Sequence, residues 1–230
     1  KNSKMKKNIL ITGDSRGLGK SIKKELEKHN FNLIGISRNS NDINYDLSNP
    51  DKIKELYFDE IKPKGPIYGL INNAAIAYDD IITNANSSLI EEMFKVNVIS
   101  PIMLTKYAIR DMLLNKTQGS IVHISSISVH TGYKGLSMYA SSKGAIEAFS
   151  KNAAREWGKF GIRSNVVCPG FMDTAMSSKL NDKQRDKIFK RNSFGKEIEV
   201  EDVAKTVQFL MSPNSIGITG QVIHVDNGTL

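Results

Sequence analysis

The sequence predicts an α/β fold, a single doubly wound parallel sheet with helices on both faces. Three observations carry that prediction. Short β-rich runs alternate with stretches of helical periodicity along the whole chain, the pattern of crossover connections between parallel strands. The first run ends in a glycine cluster that opens directly into a helical stretch. The residues with chemical character fall just after the runs, and in such sheets ligands gather at the carboxyl ends of strands.

Taken in order, Asn8–Thr12 reads as the first strand, followed by Thr12-Gly13-Asp14-Ser15-Arg16-Gly17-Leu18-Gly19 and a helix from Lys20. Strand, glycine turn and helix form the setting of a phosphate-cradling loop, with the helix N-terminus facing the anion. Gly13 allows the tight turn, Gly17 lets backbone approach a pyrophosphate, and Gly19 lets helix pack on strand. The spacing is not Gly-x-Gly-x-x-Gly, so a purely structural glycine turn stays open. The second strand, Phe31–Ser37, is followed by Arg38. Dinucleotide folds carry near this point either a carboxylate for the ribose 2′-hydroxyl of NAD or an arginine for the 2′-phosphate of NADP. Ser37, Arg38 and the nearby Arg16 place two cations and a hydroxyl here with no carboxylate, which favours NADP(H). The competing reading makes Arg38 a solvated charge at a strand end.

Ile43–Leu47 reads as a third short strand whose Asp46 reaches toward an adenine edge. Asp51–Ile61 reads as an amphipathic helix and Ile67–Ile71 as a strand. That strand ends in Asn72-Asn73-Ala74-Ala75, small residues that leave room for a ribose, although Asn73 is equally a turn residue. Ser87–Leu114 reads as a long helix interrupted at Ser100-Pro101, where proline disturbs the turn that holds Asn97. Asn97 there either holds a water or marks a kink. Gly119–Ser125 is a buried strand delivering Ser126. From Tyr139 the pattern is helical, and the Tyr139 phenol and Lys143 ammonium share a face one turn apart. A cation beside a phenol favours the phenolate, and lowering its pKa by roughly three units takes ~4 kcal/mol. Ile162–Cys168 is the next strand, turning abruptly at Pro169-Gly170 toward Thr174. Ala175–Asn192 suits an amphipathic lid, Glu201–Met211 a last helix and Gly220–Val225 a last strand.

With 230 residues, 40% of them hydrophobic, the length fits one domain around a full core. Residues 8–230 are expected to form it, and residues 1–7, which include four lysines, a basic tail. No apolar run approaches the ~20 residues of a membrane span, and Ile9-Leu10-Ile11 is too short for a secretory signal. The sole cysteine, Cys168, excludes an intrachain disulfide and suits a cytoplasmic setting. The scattered histidines His29, His123, His130 and His224 show no ligand spacing, so no metal site is expected. The net charge of +8 favours an anionic partner. No aromatic-plus-basic stripe accompanies it, which leaves nucleic-acid binding a weak alternative.

Taken together, Thr12-Gly13-x-x-x-Gly17-x-Gly19, Asn72-Asn73-Ala74-Ala75, Asn97, Ser126, Tyr139-x-x-x-Lys143 and Pro169-Gly170-x-x-x-Thr174 resemble the short-chain dehydrogenase/reductase family. The marks run in family order over nearly the whole chain. Two positions depart from the family pattern, Ala75 for a glycine and Asn227 in a usually Gly-Gly place. The resemblance implies a Rossmann-like fold and reduction of a carbonyl by NADP(H). It is strongest to reductases of 3-oxoacyl groups on acyl carrier protein. It implies that Tyr139 donates a proton, Ser126 holds the carbonyl oxygen, and Lys143 binds the nicotinamide ribose and lowers the Tyr139 pKa. Asn97 would order a water linking Lys143 to solvent. Gly13, Ser15, Arg16, Gly17, Leu18, Gly19, Ser37, Arg38, Asp46, Leu47, Asn73, Ala74, Ala75, Tyr139, Lys143, Pro169, Gly170 and Thr174 would contact the cofactor. A homotetramer is expected, with Lys116 and Lys179 as candidate contacts for the acidic carrier. Another carbonyl, on a sugar or small ketone, is the rival substrate. A cofactor-binding protein without catalysis is the rival class.

Overall fold

The computed structural model describes residues 6–172 and 182–230. Seven strands form one sheet: β1 (Lys7–Thr12), β2 (Phe31–Ser37), β3 (Ile43–Asn44), β4 (Ile67–Asn72), β5 (Ser120–Ile124), β6 (Arg163–Pro169) and β7 (Val222–Val225). Their order is β3-β2-β1-β4-β5-β6-β7, and every neighbouring pair is parallel. The chain winds outward from β1 to β3, then returns to place β4 on the other side of β1. That reversal opens a crevice between β1 and β4 at their carboxyl ends. β1 starts at Lys7, inside the stretch expected to be a tail.

The connecting helices are α1 (Gly17–Glu27), α2 (Ile53–Leu56), α3 (Ser87–Phe94), α4 (Ser100–Leu114), α5 (Ser128–Thr131), α6 (Ser137–Trp157), α7 (Asp182–Phe189) and α8 (Val200–Met211). Strand side chains alternate between faces, and the core divides accordingly. Ile9 and Ile11 pack with Ile22 and Leu26 of α1 and Val203 and Val207 of α8. Leu10, between them, packs with Ile53 of α2 and Leu104 and Ala108 of α4. Both sides of the central strands are thus apolar and buried, as a parallel sheet requires.

Three expectations need correction. Only Ile43 and Asn44 pair as β3, because the Asp46 carboxylate accepts from the Ser48 N–H at 2.9 Å and turns the chain. The expected helix Asp51–Ile61 is a 3₁₀ turn, the short α2 and a widened π turn over Tyr57–Ile61. The expected helix Ser87–Leu114 is α3 and α4 joined by a second π turn, Lys95–Ile99. Each π turn ends shortly before a proline, Pro63 or Pro101. A proline ring crowds the carbonyl four residues back and offers it no N–H. In both cases the residue just before the proline donates five residues back instead, Lys62 to Tyr57 and Ser100 to Lys95. Among the described residues no helix is long and apolar enough to cross a membrane.

Candidate active site

The glycine loop and the end of β4 are stitched together by one threonine and one asparagine. The Thr12 hydroxyl oxygen accepts from the backbone N–H groups of Asn73 and Ala74, each at 3.0 Å. The Asn73 amide donates to the carbonyls of Thr12 at 3.0 Å and Gly13 at 3.2 Å. Asn73 is therefore a clamp on the loop. Gly17 takes φ 51°, and a Cβ there would meet nothing within 4 Å, so its backbone is bare toward the crevice. A Cβ on Gly19 would lie 2.0 Å from the Gly13 carbonyl oxygen, so only glycine lets α1 seat against the strand end. No acidic residue stands in the first turn of α1, and no side chain caps it. Its N–H groups are available to an anion.

The crevice continues as one cleft of about 970 Å³ from Arg38 to Tyr139. Every cofactor contact named from the sequence lines it except Thr174, which lies outside the described residues. An elongated cleft with a bare glycine backbone and a helix N-terminus at its middle fits a dinucleotide.

The adenosine end differs from expectation in one respect: a carboxylate is present. Asp14, 5% exposed, accepts from the hydroxyls of Ser37 at 3.0 Å and Ser40 at 3.1 Å and from the Lys23 ammonium at 3.1 Å. Lys23 also reaches Asp42 at 2.8 Å, whose carboxylate accepts from the Gly35 N–H. The Ser37 hydroxyl thus spends its hydrogen on Asp14 and has none for a phosphate. Arg16 and Arg38, both exposed on the cleft wall, remain as the cations at this end. The signal for Asp14 was a carboxylate inside a glycine loop, where folding buries it and it must find donors.

At the other end, β5 delivers Ser126 and the first turn of α6 delivers Tyr139, with Lys143 one turn on. Ser126 Oγ accepts from the Ser128 N–H at 3.2 Å and the Ser128 hydroxyl at 3.0 Å. Its own hydrogen is then left for the cleft, where the Ser126 hydroxyl favours the ionised form of the Tyr139 phenol. Lys143 is buried, its ammonium donating to the Ile124 carbonyl at 2.8 Å and lying 5.7 Å from the Tyr139 ring centre.

The expected effect of Lys143 on the phenol is not found. Burial, then the charge of Asp79, pushes the Tyr139 phenol up to about 12, opposed by the Ser126 hydroxyl. The lysine is itself weakened as a cation, burial bringing it down to about 8. Tyr139 is consequently held as a protonated acid. Asp79, on the cleft wall, had no signal in the sequence.

Asn97 is buried and does not line the cleft. Its side chain accepts from the Ile76 N–H and donates to the Ile76 carbonyl, both at 2.9 Å, and donates to the Ser142 hydroxyl at 3.0 Å. Ser142 in turn donates to the Tyr139 carbonyl at 2.7 Å. The side-chain amide is committed to holding the chain after β4 against α6, and these bonds leave the Asn97 backbone, the other group expected to hold a water toward Lys143, unengaged. Lys116 also departs from expectation. It precedes β5, at the amino ends of the strands, opposite the cleft. Lys179 lies outside the described residues. His123 is buried with Nδ1 3.1 Å from the Asn72 amide, and burial depresses its pKa to about 3, which makes it a neutral packed residue. Asn227 takes φ 54°, the conformation a glycine supplies in the family pattern, and its amide donates to the Glu197 carbonyl at 3.0 Å.

Comparison with known proteins agrees with this geometry. A family model described as enoyl-(acyl carrier protein) reductase, one of those for short-chain dehydrogenases, matches residues 14–229. The chain belongs to the short-chain dehydrogenase/reductase family. It is an NAD(P)-dependent oxidoreductase. Among its relatives, the 3-oxoacyl-[acyl-carrier-protein] reductase FabG of Buchnera aphidicola subsp. Baizongia pistaciae is 34% identical, with 97% of each chain covered. Carbonyl reductase family member 4 of Xenopus laevis is 36% identical, covering 97% of this chain and 98% of its own. Among solved structures, ElxO with NADP bound matches with a TM-score of 0.89 at 29% identity, covering 98% of this chain and 99% of that one.

Proposed function

We propose that this chain is a cytoplasmic NADPH-dependent reductase of 3-oxoacyl thioesters carried on acyl carrier protein, and that it works as a homotetramer. The observation that carries the chemistry is the convergence of Ser126, a protonated Tyr139 and, one helical turn on, Lys143 at one end of the same cleft. Held along the cleft by the glycine loop and the N-terminus of α1, a reduced dinucleotide would supply the hydride for the carbonyl carbon. Tyr139 gives its phenolic proton to the carbonyl oxygen. The Ser126 hydrogen, aimed into the cleft by the two Ser128 donors, holds that oxygen as charge develops on it. Lys143 keeps protons available of which only one is used on Ile124. Arg16 and Arg38, exposed on the cleft wall, would hold the 2′-phosphate.

The substrate class is supported by the relative named as a 3-oxoacyl-[acyl-carrier-protein] reductase and by the net charge of +8, which suits an acidic carrier. The Xenopus relative named as a carbonyl reductase favours a free carbonyl as the second reading. NADPH oxidation with acetoacetyl thioesters on acyl carrier protein and on pantetheine, against a panel of ketones and sugars, separates the two. The carrier-bound thioester is expected to have the highest kcat/KM. A ketone or sugar turned over at least ~10-fold better than either thioester would overturn the 3-oxoacyl reading while leaving the reductase reading in place.

A further inference from the structure

His130, Cys168 and His224 are far apart in the sequence, yet the fold brings their ligand atoms within 4.8 Å of one another. Cys168 on β6 is in register with His224 on β7, so both side chains leave the sheet on one face. α5 brings His130 to the same place, where its ring meets that of His224 at a centroid distance of 4.9 Å. Cys168 is fully buried and forms the floor, and the two exposed imidazoles form the mouth. Behind them stands a carboxylate: Glu147 of α6 lies 3.1 Å from His130 Nε2 and also accepts from the Ser125 hydroxyl. A carboxylate on the outer nitrogen is the usual support of a metal-ligating histidine, and it leaves Nδ1 of His130 for the ligand position.

We propose that His130, Cys168 and His224 form a site for a thiophilic divalent cation, Zn²⁺ above all, with Glu147 orienting His130 and water in the fourth position. One thiolate and two imidazoles are the donor set that suits zinc over magnesium or calcium. Tetrahedral zinc spaces such ligand atoms about 3.5 Å apart, so closure needs roughly 1 Å of movement, which rotation of two exposed rings provides. Capture breaks the Cys168 S–H bond, forms an S–Zn bond and releases one proton to solvent. Burial, with Glu147 and Asp226 nearby, pushes the free thiol up to about 12, and Lys143 opposes them. Because capture releases a proton, binding tightens as pH rises.

Equilibrium dialysis of the full chain against Zn²⁺, and titration with Co²⁺ followed by its thiolate charge-transfer absorption, test the site. One ion per chain and a thiolate band are expected. Cys168→Ser should abolish the band, and His130→Gln and His224→Gln should each weaken binding at least ~10-fold. Glu147→Gln, acting through His130, should weaken it by roughly 10-fold. No ion retained at micromolar free Zn²⁺, or retention unchanged in both histidine variants, overturns the proposal. The histidines are on the surface, so their variants decide the matter even where Cys168→Ser does not fold.

Discussion

Tyr139 and Lys143 are displaced in opposite directions by the same cause, the withdrawal of water from the end of the cleft. The phenol rises to about 12 and keeps its proton, and the ammonium falls from 10.5 to about 8 and gives its proton up more readily. If Lys143 replenishes the proton that Tyr139 donates, reduction should slow as pH rises through about 8. A kcat profile against pH for the wild type, with Lys143→Arg shifting the fall to higher pH, checks this. The stability consequence has the opposite sign. Between pH about 8 and 10.5 the unfolded chain binds more protons at Lys143 than the folded one. This residue's contribution to stability therefore rises across that window. At the adenosine end the hydrogen bonds separate two residues that the sequence grouped together. Arg38→Asp should lower the NADPH to NADH ratio of kcat/KM by roughly 10- to 100-fold, the range of a lost charge-assisted bond plus a repulsion. Ser37→Ala should change it less than ~3-fold, because the Ser37 hydroxyl already serves Asp14. Equal effects of the two substitutions would return Ser37 to the phosphate site. The places of Arg38 after β2 and of Tyr139 at the start of a helix, both on the cleft wall, were legible in the sequence. Asp14 showed only as a carboxylate inside the glycine loop, and its partners were not legible, because its donors on β2, the β2–β3 loop and α1 are assembled only by folding.

Among the elements, the π turn between α3 and α4 explains most about how the site is held. Pro101 cannot donate to the Asn97 carbonyl, the helix widens, and Asn97 swings its amide onto Ile76 and Ser142. One side chain thereby fixes the end of β4, which forms the cofactor wall, to the helix turn that carries Tyr139. Asn97→Ala leaves the Ile76 N–H and carbonyl and the Ser142 hydroxyl short of partners in a buried place. It should cost about 2 kcal/mol in denaturant unfolding and lower kcat together with cofactor affinity. Loss of kcat with stability intact would mean that Asn97 acts on proton flow rather than on position. The proline made the disturbance legible in the sequence. Its form was not, because periodicity near 3.6 hardly distinguishes one inserted residue from a kink. The same holds for Tyr57–Ile61 ahead of Pro63.

For the molecule as a whole, the parallel order and the switch between β1 and β4 decide where chemistry can occur. The alternation of strands and helices foretold that order, and six of the seven strands stand within two residues of where periodicity put them. β3 was over-read because an Asx turn at Asp46 ends it early. What the sequence could not supply was the meeting of distant parts, whether Asn97 with Ser142 or His130 with His224. The central claim is that Tyr139 is the proton donor at the end of a dinucleotide cleft. It is tested most directly by following NADPH absorbance during turnover of an acetoacetyl thioester by the wild type and by Tyr139→Phe, with NADPH binding measured on both. The account expects turnover to fall at least ~100-fold while NADPH binds within a few-fold of the wild type; undiminished turnover by the phenylalanine variant would contradict it.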